Sequence, residues 1–163
     1  MSTAPAPYAK ADIQVLLKAI ASDTTDTTLA HGITTAQWDV LAAYMQPMDI
    51  AAGRILISQG AEDRTLYFVE SGMLTVHFED ATGKIRLAAV GAGSVVGEGG
   101  FFSRMARSAT VQAGSACRLW TLSPMRFSEL ANRQPSAALA LAMALGAIMA
   151  RRLVSNRRRI AVT

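Results

Sequence analysis

The stretch Gly97-Glu98-Gly99-Gly100-Phe101-Phe102-Ser103-Arg104-Met105-Ala106-Arg107-Ser108-Ala109-Thr110 sets glycine punctuation, an acid, an arginine and a hydroxyl inside one short loop. A glycine-rich turn that opens a short helix leaves the first backbone amides unpartnered at the positive end of the helix dipole. That makes a seat for an anion around Gly99, Gly100 and Phe101. Gly97 would let the backbone approach such an anion closely. Arg107 presents a planar fork of donors suited to a phosphate, and an ionised Glu98 accepts hydrogen bonds from a sugar hydroxyl. One residue neutralises and the other reads. The plainer alternative is a glycine-rich turn with a surface Glu and Arg.

Working outward, the order Gly-Glu, two apolar residues, an excursion and then Arg107-Ser108-Ala109-Thr110-Val111 resembles the phosphate-binding cassette of cyclic-nucleotide-binding domains, of the catabolite activator and cAMP-dependent kinase regulatory type. Gly53-Arg54-Ile55-Leu56-Ile57-Ser58-Gln59-Gly60 and Leu66-Tyr67-Phe68-Val69-Glu70-Ser71-Gly72 look like that family's early strands and glycine turns. The resemblance runs from Gly53 to the last helix. It implies a mainly β fold with flanking α, an eight-stranded jelly roll with leading helices and a long closing helix. It further implies that Val76 and Leu87 lie against sugar and base, that Arg152 pairs with Glu98, and that Asn156 touches the adenine. Ser108 would bond an axial phosphate oxygen or, with a syn base, a guanine amine, so the implied ligand is cAMP with cGMP as alternative. Two departures stand out: Gly99-Gly100 replaces the family's Leu-Gly or Leu-Ala, which removes an apolar anchor beneath the cassette, and Arg157 stands where a second hydroxyl is usual.

Composition agrees with a globular chain. Of 163 residues, 51% are hydrophobic and 17% charged, too apolar for a disordered segment and enough for one domain with appendages. The longest apolar run, 137–150, reads as too short to span a membrane, and residues 1–9 lack the basic start and apolar centre of a signal peptide, so a cytoplasmic protein is expected. Cys117 is the single cysteine, and His31 and His77 have no evident ligand partners, so neither a disulfide nor a metal or other cofactor is expected. The net charge of +4 owes much to Arg151, Arg152, Arg157, Arg158 and Arg159. A basic end can meet nucleic acid, or can simply be cations at the carboxyl end of a helix dipole.

The periodicity divides the chain into three parts: 1–47, a flexible start and leading helices; 48–123, the jelly roll with its cassette; 124–163, the closing helices. Apolar residues at helical spacing mark a helix from Asp12 to Ile20, and Thr34 or Thr35 caps a second that Pro47 is expected to end. Strands are expected at 54–58, 65–70, 74–79, 84–90, 94–96, 109–113 and 118–122, with a hairpin turn at Asp80-Ala81-Thr82-Gly83. Pro124 opens one helix and Pro135 a longer one, on which Leu141, Leu145, Ile148, Arg152 and Asn156 form a stripe whose upper half suits packing against a second copy. The expected role is a cyclic-nucleotide sensor, not an enzyme, that signals to a partner protein without contacting DNA or membrane. The alternatives are a jelly-roll interaction module without ligand and a basic nucleic-acid-binding protein.

Overall fold

The computed structural model describes residues 10–161 except 26, without the side chains of 10–12, 86 and 156–161. Two helices, α1 (Lys10–Ser22) and α2 (Thr35–Ala42), lead into β1 (Gln46–Ile50), β2 (Ile55–Ile57), β3 (Leu66–Ser71), β4 (Leu74–Glu79), β5 (Ile85–Val90) and β6 (Val95–Val96). Then follow α3 (Glu98–Ser103), β7 (Thr110–Ala113), β8 (Cys117–Leu122), α4 (Pro124–Arg133) and α5 (Pro135–Ala161). The strands form two antiparallel four-stranded sheets, β1-β8-β3-β6 and β2-β7-β4-β5, the eight-stranded jelly roll that the cassette implies.

Local chemistry sets the helix starts. Thr34 Oγ1 accepts from the Gln37 amide at 3.2 Å while Gln37 Oε1 accepts from the Thr34 amide at 2.9 Å, a reciprocal capping box that fixes the first turn of α2. Ser123 caps α4 with Pro124 in its first turn. Pro47 does not end α2; it lies inside β1, a strand missing from the expected set. β1 is an edge strand paired only with β8, and an edge position tolerates a residue without an amide donor.

The β1-β8-β3-β6 sheet is buried on both faces. Leu66 and Phe68 of β3, with Trp120 and Leu122 of β8, meet Ile13, Leu16, Trp38, Leu41 and Leu130 from the helices. Tyr67, Val69 and Leu119 point the other way and fill the space between the sheets with Ile50, Ile57, Leu74, Val111 and Ala113. Leu141, Leu145 and Ile148 of α5, all fully buried, join the helical core. This corrects the expectation that their stripe faces a second copy: the face left outside carries Leu139, Met143 and Leu153 instead. By length and composition the Pro135–Ser155 segment, with mean hydropathy 1.7, is long enough to cross a membrane, which revises the shorter run read from sequence.

Candidate functional site

The cassette hangs from β6. Val95 and Val96 pair with Phe68 and Tyr67 of β3, and Gly97, at φ 90°, turns the chain into α3. A Cβ at Gly97 would lie 2.8 Å from both Arg107 Nη1 and the Thr65 carbonyl oxygen. The room that glycine leaves is therefore occupied by the protein's own guanidinium, where the sequence suggested room for a bound anion. Gly100 also flanks Arg107, whereas Gly99 is exposed with open space around it. Phe101 holds α3 down: it is buried and meets Phe127 of α4 edge-on, with ring centroids 5.2 Å apart.

Arg107 is 4% exposed and forms a salt bridge with Asp63. Nε and Nη2 donate to Asp63 Oδ2 at 3.1 and 2.9 Å, Nη1 donates to the Gly97 carbonyl at 2.9 Å, and Nη2 also donates to the Thr65 carbonyl at 2.6 Å. A guanidinium has five N–H donors, so one on Nη1 is left without a protein acceptor among the described residues. The Arg107 backbone is clipped as well, its amide donating to Ala61 at 2.7 Å and its carbonyl accepting from Gly60 at 2.8 Å. Burial pushes the Asp63 carboxyl up, but hydrogen bonds from the Thr65 amide and from Arg107 outweigh it and hold its pKa below the usual value. Tyr67, beneath this pair, is pushed up by burial and by the Asp63 charge.

Glu98 opens α3 and is turned in from solvent. Arg152 of α5 forms an ion pair with it and donates from Nη2 to the Val95 carbonyl at 2.9 Å, so the Glu98–Arg152 pairing is present and joins α5 to the cassette. Ser108 is exposed and Ala109 half-buried at the exit. Val76 is half-buried against the core between the sheets, and it pairs with Ala88. Leu87 instead pairs with His77, one step along the ladder, so its side chain takes the opposite face and is 68% exposed. The structure does not bring Leu87 to the cassette. Asn156 is on α5, its side chain outside the described residues.

An open cleft of about 580 Å³ lies elsewhere, lined by Thr25, Thr28 and His31 of the loop after α1 and by Ala150, Arg151, Val154 and Ser155 of α5. It contains no cassette residue, so side-chain chemistry and not this hollow defines the site. Asp63 and Arg64 are the functional neighbours that sequence reasoning passed over. Their only signal was the charged run Glu62-Asp63-Arg64 just before a strand.

Comparison with known proteins bears on this geometry directly. The chain is 37% identical over 100 residues to the cAMP-activated global transcriptional regulator CRP of Escherichia coli O6:H1, covering 60% of this chain and 46% of that protein. It thus spans less than half the length of that curated relative. It is also 36% identical over 104 residues to Glutaminase 2 of Bradyrhizobium diazoefficiens, covering 64% of this chain and 16% of that protein. A cyclic nucleotide-binding domain from Methylobacillus flagellatus has the same fold, with a TM-score of 0.80 at 21% identity over 93% of this chain and 83% of that one. The sequence profile of the cyclic nucleotide-binding domain matches residues 47–134, from β1 to the end of α4, and so takes in both sheets, α3 and the buried Arg107. With fold, cassette and profile in agreement, this chain belongs to the cyclic nucleotide-binding domain family.

Proposed function

We propose that the domain senses a 3′,5′-cyclic nucleotide, cAMP ahead of cGMP, and passes the bound state to a partner protein in the cytoplasm. The observation that carries this reading is the buried Arg107 guanidinium, held beside Gly97 and Gly100 in a cassette whose Glu98 is tied to α5. The ring phosphate meets Arg107, with Ser108 and the amides of Gly99 to Phe101 beside it, and the ribose hydroxyl donates to Glu98. Arg107 is already desolvated and charged, so the phosphate takes over from Asp63 or adds at the remaining Nη1 N–H; the cost of burying the cation has been met during folding. Val76 supplies apolar wall and Asn156, an amide that both donates and accepts, is positioned by sequence for the base. The cAMP-activated relative supports cAMP as the nucleotide.

The outward face of α5 supports a homodimer. Leu139, Met143, Gly146, Ala150 and Leu153 recur at alternating steps of four and three, the spacing of a coiled-coil seam, and all are exposed.

Calorimetric titration of cAMP and cGMP into the wild type and Arg107→Ala tests the site, with sedimentation of the same samples reporting the dimer. The expected result is binding by the wild type, with affinity lower by about a hundredfold or more in the variant, as loss of a buried charge-assisted bond implies. Arg107→Lys, which keeps the charge, guards against misreading a folding defect. Equal heats from wild type and Arg107→Ala remove the site. Silence from both nucleotides leaves a jelly-roll interaction module.

A further inference from the structure

One segment holds both flanks of the cassette. Asp63 grips Arg107 at its far end, and the next residue, Arg64, turns to its near end: Nε donates to the Gly100 carbonyl at 3.3 Å and Nη2 to the Phe101 carbonyl at 2.9 Å. Gly100 and Phe101 are among the last four residues of α3, whose carbonyls have no partner within so short a helix and collect the negative end of its dipole. A cation there satisfies two of them at once. Ala61 and Gly60 add the two backbone bonds to Arg107. The intervening excursion, with Phe102 41% and Met105 71% exposed, is thereby fixed at both ends and open between them.

Gly99 gives this arrangement its significance. The position is exposed and faces open space, so it is not the place beneath the cassette where the sequence suggested a missing anchor, and Phe101 is the one buried apolar anchor in the helix. We propose that Arg64 is a positioning residue for the nucleotide cassette: through the Gly100 and Phe101 carbonyls it holds α3 at the spacing from Arg107 that a cyclic nucleotide requires. The inference rests on the nucleotide reading above for its ligand, and on geometry alone for the restraint itself.

The test uses the full chain as wild type, Arg64→Ala and Arg64→Lys, with two readouts. In the first, cAMP titration, Arg64→Ala is expected to bind about tenfold more weakly, a fraction of what two hydrogen bonds from a charged donor are worth because Arg64 acts on the ligand only through the position of α3. Arg64→Lys, which keeps the charge but reaches one carbonyl at a time, recovers part of it. In the second, amide hydrogen exchange without ligand, residues 98–107 are expected to exchange faster in Arg64→Ala while 66–71 and 117–122 remain protected. That contrast separates positioning from general destabilisation. Unchanged exchange at 98–107 overturns the proposal, as does wild-type affinity in Arg64→Ala. So does an equal loss of protection in the sheet segments, which would make Arg64 merely structural. If the wild type binds neither nucleotide, the sensor reading falls, and the exchange contrast still decides whether Arg64 restrains α3.

Discussion

The two charged ends of the cassette are held by different parts of the molecule. Arg107 is buried and fastened to the loop before β3 by the Asp63 carboxylate, the Thr65 carbonyl and two backbone bonds, and to the Gly97 carbonyl beside it. Glu98 is fastened by one partly exposed ion pair to Arg152, in the second half of a long helix whose outer face is exposed, and Arg152 also reaches the Val95 carbonyl. The first end is over-determined and the second depends on the position of α5. A ligand that bridges both ends would therefore find one wall fixed and the other able to move, which is the asymmetry a sensor needs to convert binding into displacement.

The sharpest way to break this contrast is at the fixed end. Gly97→Ala forces a left-handed backbone on a residue with a side chain and drives its Cβ to 2.8 Å from both Nη1 and the Thr65 oxygen. The expected cost is about 2 kcal/mol, or about 6 °C in Tm, together with loss of nucleotide binding. A variant as stable as the wild type would show that the Arg107 seat is soft.

At the movable end, a double-mutant cycle of Glu98→Gln and Arg152→Gln should give a coupling of about 1 kcal/mol in the free protein, the range of a partly exposed pair. Coupling indistinguishable from zero would detach α5 from the cassette and remove the difference between the two ends.

The smallest effect concerns pH. Asp63 has a folded pKa below its unfolded value, so its contribution is complete above the ordinary carboxylate range and is lost as pH falls through the folded value. The stability gap between wild type and Asp63→Asn should hold steady at neutral pH and shrink below about pH 4, by under about 1 kcal/mol because the carboxylate is nearly half exposed. A gap that widens on acidification would mean that Asp63 does not neutralise Arg107.

Local patterns made most of the fold legible. Glycine punctuation and residue types placed seven of the eight strands to within a residue or so, and Thr34, Ser123 and the prolines marked helix starts. What failed was register and pairing across the chain. Closing the hairpin with a two-residue loop at Asp80 and Gly83 would set Val76 opposite Leu87 on one face. Instead the Gly83 amide bonds Asp80, the Asp80 amide bonds Lys84, and Gly83 takes φ 79°, so three residues form the loop and the register shifts by one. That single step sends Leu87 outward. Likewise α5 offers two stripes of similar apolarity, and only packing against the sheet decides which is covered. The partnership of Asp63 with Arg107 joins residues 44 positions apart. A buried arginine requires a counter-charge, yet nothing in the spacing says which of the nearby acids supplies it.

On the proposed nucleotide reading, Asp63 is a competitor tethered beside the cation it shares with the ligand. A carboxylate that cannot diffuse away acts at the high effective concentration of an intramolecular group, and any incoming phosphate has to displace it or share the cation with it. On that same proposed reading, the threshold of response is then set partly by the domain's own chain, and a sequence change at this one acid would retune how much nucleotide is needed.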